Sequence, residues 1–205
     1  MGNFLIGSFF TKKTRYEQIA KDYLFKSCAE RQIECSIIGI DNLGSWSRNV
    51  AEKPRVILQL LEESQDKKDV VFLDADSTIE QELTIFDSIE KDVDLALHYL
   101  DWNTWYPWQK GSDVKELLSG TLFLRNNERI KSLVAEWYKR AKTTSVWEQK
   151  ILEQLLKERP DIKVFQLPVE YCYIKTLPNG QEPVVKVKPV ILHHQMSREM
   201  KRTIK

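Results

Sequence analysis

The chain has 205 residues, 42% of them apolar and 30% charged, with 31 Lys and Arg against 30 Asp and Glu. That balance suits a single globular domain with a full core, and the near-zero net charge excludes a protein that grips nucleic acid through bulk charge. No run of residues is long and apolar enough for a membrane span, and the three cysteines, Cys28, Cys35 and Cys172, have neither disulfide-framework nor metal-ligand spacing, which fits a reducing, cytoplasmic setting.

Asn3 to Phe10 predicts a first strand, and Thr11 to Arg15 a polar turn. Tyr16, Ile19, Ala20, Tyr23 and Leu24 recur at helical spacing up to about Arg31. A second strand is expected over Ile33 to Ile40, then a loop over Asp41 to Trp46. Pro54 suits the first residue of a helix whose buried face is Val56, Ile57, Leu60 and Leu61. The apolar run Val70-Val71-Phe72-Leu73 reads as a buried strand of a mostly parallel sheet. The order to this point is β-α-β-α-β, a doubly wound α/β pattern. A short helix around Phe86 follows, then a strand from Val93 to Leu100, an aromatic loop from Asp101 to Asp113 and a strand from Gly120 to Arg125. Helices are expected over about Asn127 to Lys142 and Val146 to Arg159, with short strands at Val164 to Leu167, Val169 to Ile174 and Val190 to His193. A basic tail with Arg198, Lys201, Arg202 and Lys205 closes the chain, and its role as a phosphate clamp, an anion-facing patch or a frayed end stays open.

The stretch that carries chemistry is Asp74-Ala75-Asp76-Ser77-Thr78, at the carboxyl end of the central strand. Ligands of open α/β sheets bind there. Two carboxylates two residues apart repel each other unless a cation joins them, and hard divalent ions take such oxygen ligands. The plain alternative is that Asp, Ser and Thr cap a following helix.

Taken together, the chain resembles the GT-A fold of nucleotide-diphospho-sugar glycosyltransferases over nearly its whole length. The segments that carry the resemblance are Phe4 to Phe10 leading to Tyr16, Trp46-Ser47-Arg48-Asn49 with Lys53-Pro54, Asp74-Ala75-Asp76, Ser119-Gly120-Thr121, Trp147-Glu148-Gln149 and His193-His194. The resemblance implies a single Rossmann-like domain, mixed but mostly parallel, with a nucleotide-binding half over about 1–100 and an acceptor side over about 101–195. It implies donor contacts at Ser8, Phe9, Tyr16, Arg48, Lys53, Asp74, Ser119 and Gly120, and a role at the reacting sugar for Glu148 and Gln149. It implies a Mn²⁺ or Mg²⁺ ion held by Asp74, Asp76 and a late histidine. Adjacent strand residues face opposite sides, so only one of His193 and His194 can reach that ion. The donor expected is a UDP-sugar, and the acceptor a glycan or other hydroxyl compound, modified nucleic acid included.

Several of these residues have a second reading. Tyr16 lies on an apolar helical stripe, Lys53 suits a solvated surface, and Ser145-Val146-Trp147-Glu148 fits a capping box in which Glu148 returns to its own helix start. Gly120 also fits a bulge. His98, inside a strand, reads as a hydrogen-bonded core histidine. Trp102, Trp105, Tyr106 and Trp108 suit an acceptor platform or lid, or a hydrophobic plug over one end of the sheet. Asp74-x-Asp76-x-Thr78 also resembles the motif of haloacid-dehalogenase-like phosphatases, but two β-α units precede it and no downstream acidic cluster completes that site. A binding domain without turnover remains the third reading.

Overall fold

The computed structural model describes residues 3–64, 66 and 68–198. Six strands form the main sheet, β1 (Phe4–Thr11), β2 (Cys35–Ile40), β3 (Asp69–Leu73), β5 (Leu95–Asp101), β6 (Lys115–Leu124) and β7 (Val164–Gln166), in the order β2-β1-β3-β6-β5-β7. β1 runs parallel to β2 and β3, and β5 to β7, while β6 is antiparallel to both of its neighbours. The sheet is mixed and mostly parallel, as the sequence predicts.

Both faces of the central strand are covered, which is why its apolar run is unbroken. Val70 and Phe72 pack toward α4 (Lys53–Glu63), α7 (Glu128–Thr143) and α8 (Glu148–Glu158). Val71 and Leu73 face the other layer, with Leu24, Cys28 and Phe86. The first helical segment there is not one α-helix: α1 (Arg15–Ala20) and α2 (Lys26–Glu30) flank a π-helical turn over Lys21–Phe25, and α5 (Thr84–Ser88) completes the layer. The helix starts follow ordinary capping chemistry, with Thr14, Ser45 and Asn127 side chains accepting from backbone N–H groups of α1, α3 (Trp46–Val50) and α7.

Two expectations fail at element ends. Asp74 to Thr78 caps no helix. The Ser77 N–H and hydroxyl both donate to the Asp74 carbonyl, at 3.0 and 2.6 Å, and the chain enters β4 (Ser77–Ile79). This tight turn leaves both carboxylates at the tip of the sheet. The aromatic loop is partly helical, with α6 (Trp102–Trp105) and a 3₁₀ turn over Pro107–Gln109.

β4 belongs to a second, three-stranded sheet ordered β4-β9-β8, with β8 (Tyr173–Ile174) and β9 (Ile191–His193). Ser77 pairs with His193 in that sheet, so the end of β9 lies directly beside the Asp74–Asp76 turn. This small sheet positions the site.

Candidate active site

A cavity of about 390 Å³ opens at the carboxyl ends of β1 and β3. Phe9, Tyr16, Trp46, Lys53, Asp74, Asp76, Ser119, Gly120, Trp147, Glu148, Gln149 and His193 are among its lining residues. The turn after β3 supplies both carboxylates and β9 supplies the imidazole, with ligating atoms of Asp74, Asp76 and His193 all within 4.8 Å of one another. The Asp76 carboxylate is steadied by the Met196 N–H at 2.8 Å. Burial and the neighbouring Asp74 charge push its pKa up to about 6. Two acids this close disfavour double ionisation without a cation.

His193 is held from behind. Its Nε2 lies 2.8 Å from the Thr121 hydroxyl. With Nε2–H donating to that hydroxyl, the Nδ1 lone pair is left toward the carboxylates. Burial pushes the His193 pKa down to about 4, so the ring is neutral at pH 7, the form that ligates metals. Gly120 makes room for it. A Cβ there would stand 2.9 Å from His193 Cε1 and 3.1 Å from both His193 Nδ1 and Asp74 Oδ2. An oxygen-and-imidazole donor set and a side-chain-free approach fit a divalent cation of the Mn²⁺ or Mg²⁺ kind.

Lys53 is the unexpected member. It is 4% exposed, not solvated. Its Nζ lies 3.0 Å from Asp74 Oδ1, 3.1 Å from Glu148 Oε1 and 3.0 Å from Ser119 Oγ. Burial alone would lower its pKa, but the Asp74 and Glu148 charges outweigh that and hold it above the usual lysine value. A cation at the first residue of α4 also opposes the helix dipole, and the same two carboxylates offset it.

Glu148 does not form the capping box. Ser145 instead caps no part of α8; Trp147 is the cap residue and makes no side-chain bond. The Glu148 carboxylate is drawn inward, where Oε1 takes Lys53 and the Ser119 hydroxyl (2.9 Å) while Oε2 is buried without a partner. Gln149 spends both ends of its amide, accepting from Ser119 N–H at 3.1 Å and donating to Glu116 at 3.0 Å.

Five residues named from sequence lie elsewhere. Ser8 is fully buried and donates to the Leu73 carbonyl at 2.6 Å, clasping β1 to β3. Arg48 is exposed on α3 and is absent from the cavity wall. His194 faces the opposite side of β9, 3.0 Å from the Thr78 hydroxyl and ring to ring with Tyr23 at 4.4 Å. Trp105 is 3% exposed and packs on Tyr173, half-buried Trp102 donates to Glu116, and neither lines the cavity. His98 is buried, with Nδ1 2.8 Å from the Leu167 carbonyl. Arg198 lines the cavity, whereas Lys201, Arg202 and Lys205 lie outside the described residues.

Two residues were read only as parts of motifs, Trp46 and Trp147. Both are exposed at the cavity, with ring centroids 6.2 Å apart. The available signal was that each stands at a helix start, one of them directly before Glu148-Gln149.

Among the described residues no helix is long and apolar enough to cross a membrane. No curated protein matches the chain. Among solved structures, a glycosyltransferase involved in glycosylation of the major capsid of PBCV-1 superposes with a TM-score of 0.67 at 15% identity, covering 98% of this chain and 99% of that one. Mouse xyloside xylosyltransferase 1 in its apo form superposes with a TM-score of 0.54 at 11% identity, covering 95% and 98%. At these identities the likeness establishes a shared GT-A-like fold. The family model for nucleotide-diphospho-sugar transferases matches residues 43–204, and the chain belongs to that family.

Proposed function

We propose that the protein moves a sugar from a UDP-sugar to an acceptor hydroxyl, with Mn²⁺ or Mg²⁺ held by Asp74, Asp76 and His193. The observation that carries this reading is the convergence of those three side chains beside Gly120 in a nucleotide-diphospho-sugar transferase. A bound divalent ion would supply Lewis-acid charge against the departing diphosphate.

The chain's own groups divide the remaining work. Phe9 and Tyr16 give the cavity an aromatic wall at the end of β1, suited to the nucleotide base. Burial pushes the Tyr16 hydroxyl up to about 12, so it stays neutral beside the two aspartates. Lys53 contributes fixed positive charge from below, through Asp74. The orphaned Glu148 Oε2 is placed to accept a sugar hydroxyl; an unmet buried carboxylate oxygen is costly until such a donor arrives. Gln149, with its amide fully engaged, holds the Ser119–Gly120 segment in place. Nucleic acid as acceptor gains no support from the charge of the cavity.

Calorimetry with UDP, with and without Mn²⁺, tests the reading. UDP affinity should depend on the ion, and Asp76→Ala should lose that dependence while its circular dichroism spectrum stays native. Ion-independent UDP binding, or an unchanged Asp76→Ala, overturns it.

A further inference from the structure

Three of the six tryptophans, Trp46, Trp108 and Trp147, are exposed, and of these Trp46 and Trp147 line the cavity. Trp46 and Trp147 are 38% and 46% exposed, with ring centroids 6.2 Å apart and planes tilted by 54°. They come from separate helix starts about a hundred residues apart in sequence, yet both stand at the cavity that holds the cation cluster.

Neither placement follows from local folding needs. Trp147 occupies the cap position of α8, where Ser, Thr, Asp or Asn would satisfy a backbone N–H and Trp satisfies none. A residue that breaks a local rule without an offsetting contact in the core points to function. Trp46 follows its cap residue Ser45, and its indole N–H bonds the Tyr16 hydroxyl, which fixes the ring's orientation while a face stays open. Two preset indoles at a cavity mouth suit a flat or apolar ligand face.

The chemistry around them selects the ligand. Among the described residues the cations lining the cavity are Lys53 and Arg198. Lys53 is bound to Asp74, Glu148 and Ser119, and Arg198 donates to the Thr176 carbonyl. Asp74, Asp76, Glu116 and Glu148 line the same cavity, so an anionic second substrate is disfavoured. Trp147 is joined to Glu148-Gln149, which sit against Ser119 on the β6 side of the cluster, and Trp46 meets it from the Tyr16 side with ring centroids 6.2 Å apart. We propose that the Trp46–Trp147 pair is the acceptor subsite, and that it takes the C–H face of a neutral pyranose ring. This rests on the transferase reading for its place in the reaction.

Binding of methyl glycosides of glucose, galactose, mannose and xylose, followed by tryptophan fluorescence and saturation-transfer NMR on the full chain, tests it without any donor. At least one glycoside should quench the indole emission and draw transfer to its C–H face. Trp147→Ala should weaken that binding about five- to tenfold, with Trp147→Phe intermediate. UDP–Mn²⁺ affinity, measured in parallel, should change less than about twofold. A Trp147→Ala variant that loses UDP–Mn²⁺ binding would assign the pair to the nucleotide base and overturn the proposal, as would glycosides that leave the emission unchanged. Absence of UDP–Mn²⁺ binding in the unaltered protein sinks the transferase reading alone, since the glycoside arm is read separately.

Discussion

His193 and His194 are neighbours in sequence and work in different environments. His193 points into the cavity, packed against side-chain-free Gly120 and tethered to Thr121. His194 points to the other side, against Tyr23 of the π-helical turn and Thr78. Both are shifted toward neutrality by burial. What separates them is the partner set. One meets two carboxylates with an unclaimed ring nitrogen, and the other meets a phenol ring and a hydroxyl. A strand end thus gives one face to chemistry and the other to packing, and residue type alone says nothing about which is which.

Removing each in turn should expose the contrast. His193→Ala should lower Mn²⁺ affinity at least about 100-fold, since losing a ligand must cost more than losing the group that orients it. Calorimetric titration of the cation alone reads this. An affinity within a few-fold of the unaltered protein would take His193 out of the site.

Thr121→Val tests the tether while keeping the shape. A drop of about 10- to 100-fold in Mn²⁺ affinity is expected, with Thr121→Ser close to normal. In the cation-free protein, ¹⁵N shifts of the His193 ring should report the Nε2–H tautomer in the parent and a mixture in Thr121→Val.

Acidity should act on the cation cluster through two opposed groups. Asp76 is raised from 3.8 to about 6, so between these values the folded chain holds a proton that the unfolded chain lacks, and this group's contribution to stability falls as pH rises. His193 is lowered from 6.5 to about 4, so its contribution rises with pH over nearly the same window. The two slopes oppose, and thermal stability without a cation should be nearly flat between pH 4 and 6 on their account. Cation binding needs Asp76 ionised, so Mn²⁺ affinity should fall about tenfold per pH unit below 6. A Mn²⁺-induced rise in Tm that persists at pH 4.5 would contradict this.

His194→Ala is the smallest change. It should leave Mn²⁺ affinity untouched and cost about 1 kcal/mol of stability, from the lost Tyr23 ring contact and the Thr78 bond. A loss of cation affinity in this variant would erase the contrast between the two faces.

Legibility in the sequence followed the range of the interactions involved. The strand at Val70 to Leu73 was readable because burial on both faces demands an unbroken apolar run, and its acidic end was readable because the carboxylates follow it directly. The Ser145–Glu148 capping box was legible and wrong. A local bond from Glu148 to its own helix lost to Lys53 and Ser119, which lie 95 and 29 residues away and offer a full charge and a hydroxyl inside the core. Lys53 looked like a surface residue for the same reason, since its two carboxylates arrive from other elements. The tryptophans show the effect most plainly. In the cluster dense in sequence, Trp102 and Trp105 met Glu116 and Tyr173, Trp108 stayed exposed away from the cavity, and the sparse pair was left open at the cavity.

The sequence by itself determined the α/β class, the position of the Asp74–Asp76 pair at a strand end, and the family to which the chain belongs, because apolar periodicity and short motifs are local properties of the chain. Only the tertiary structure decided that His193 and not His194 joins the carboxylates, that Lys53 is buried beneath them, and which aromatic rings remain uncovered. Those outcomes depend on which distant strands and helices meet, and a side chain's partners are fixed by that meeting and not by its neighbours in sequence.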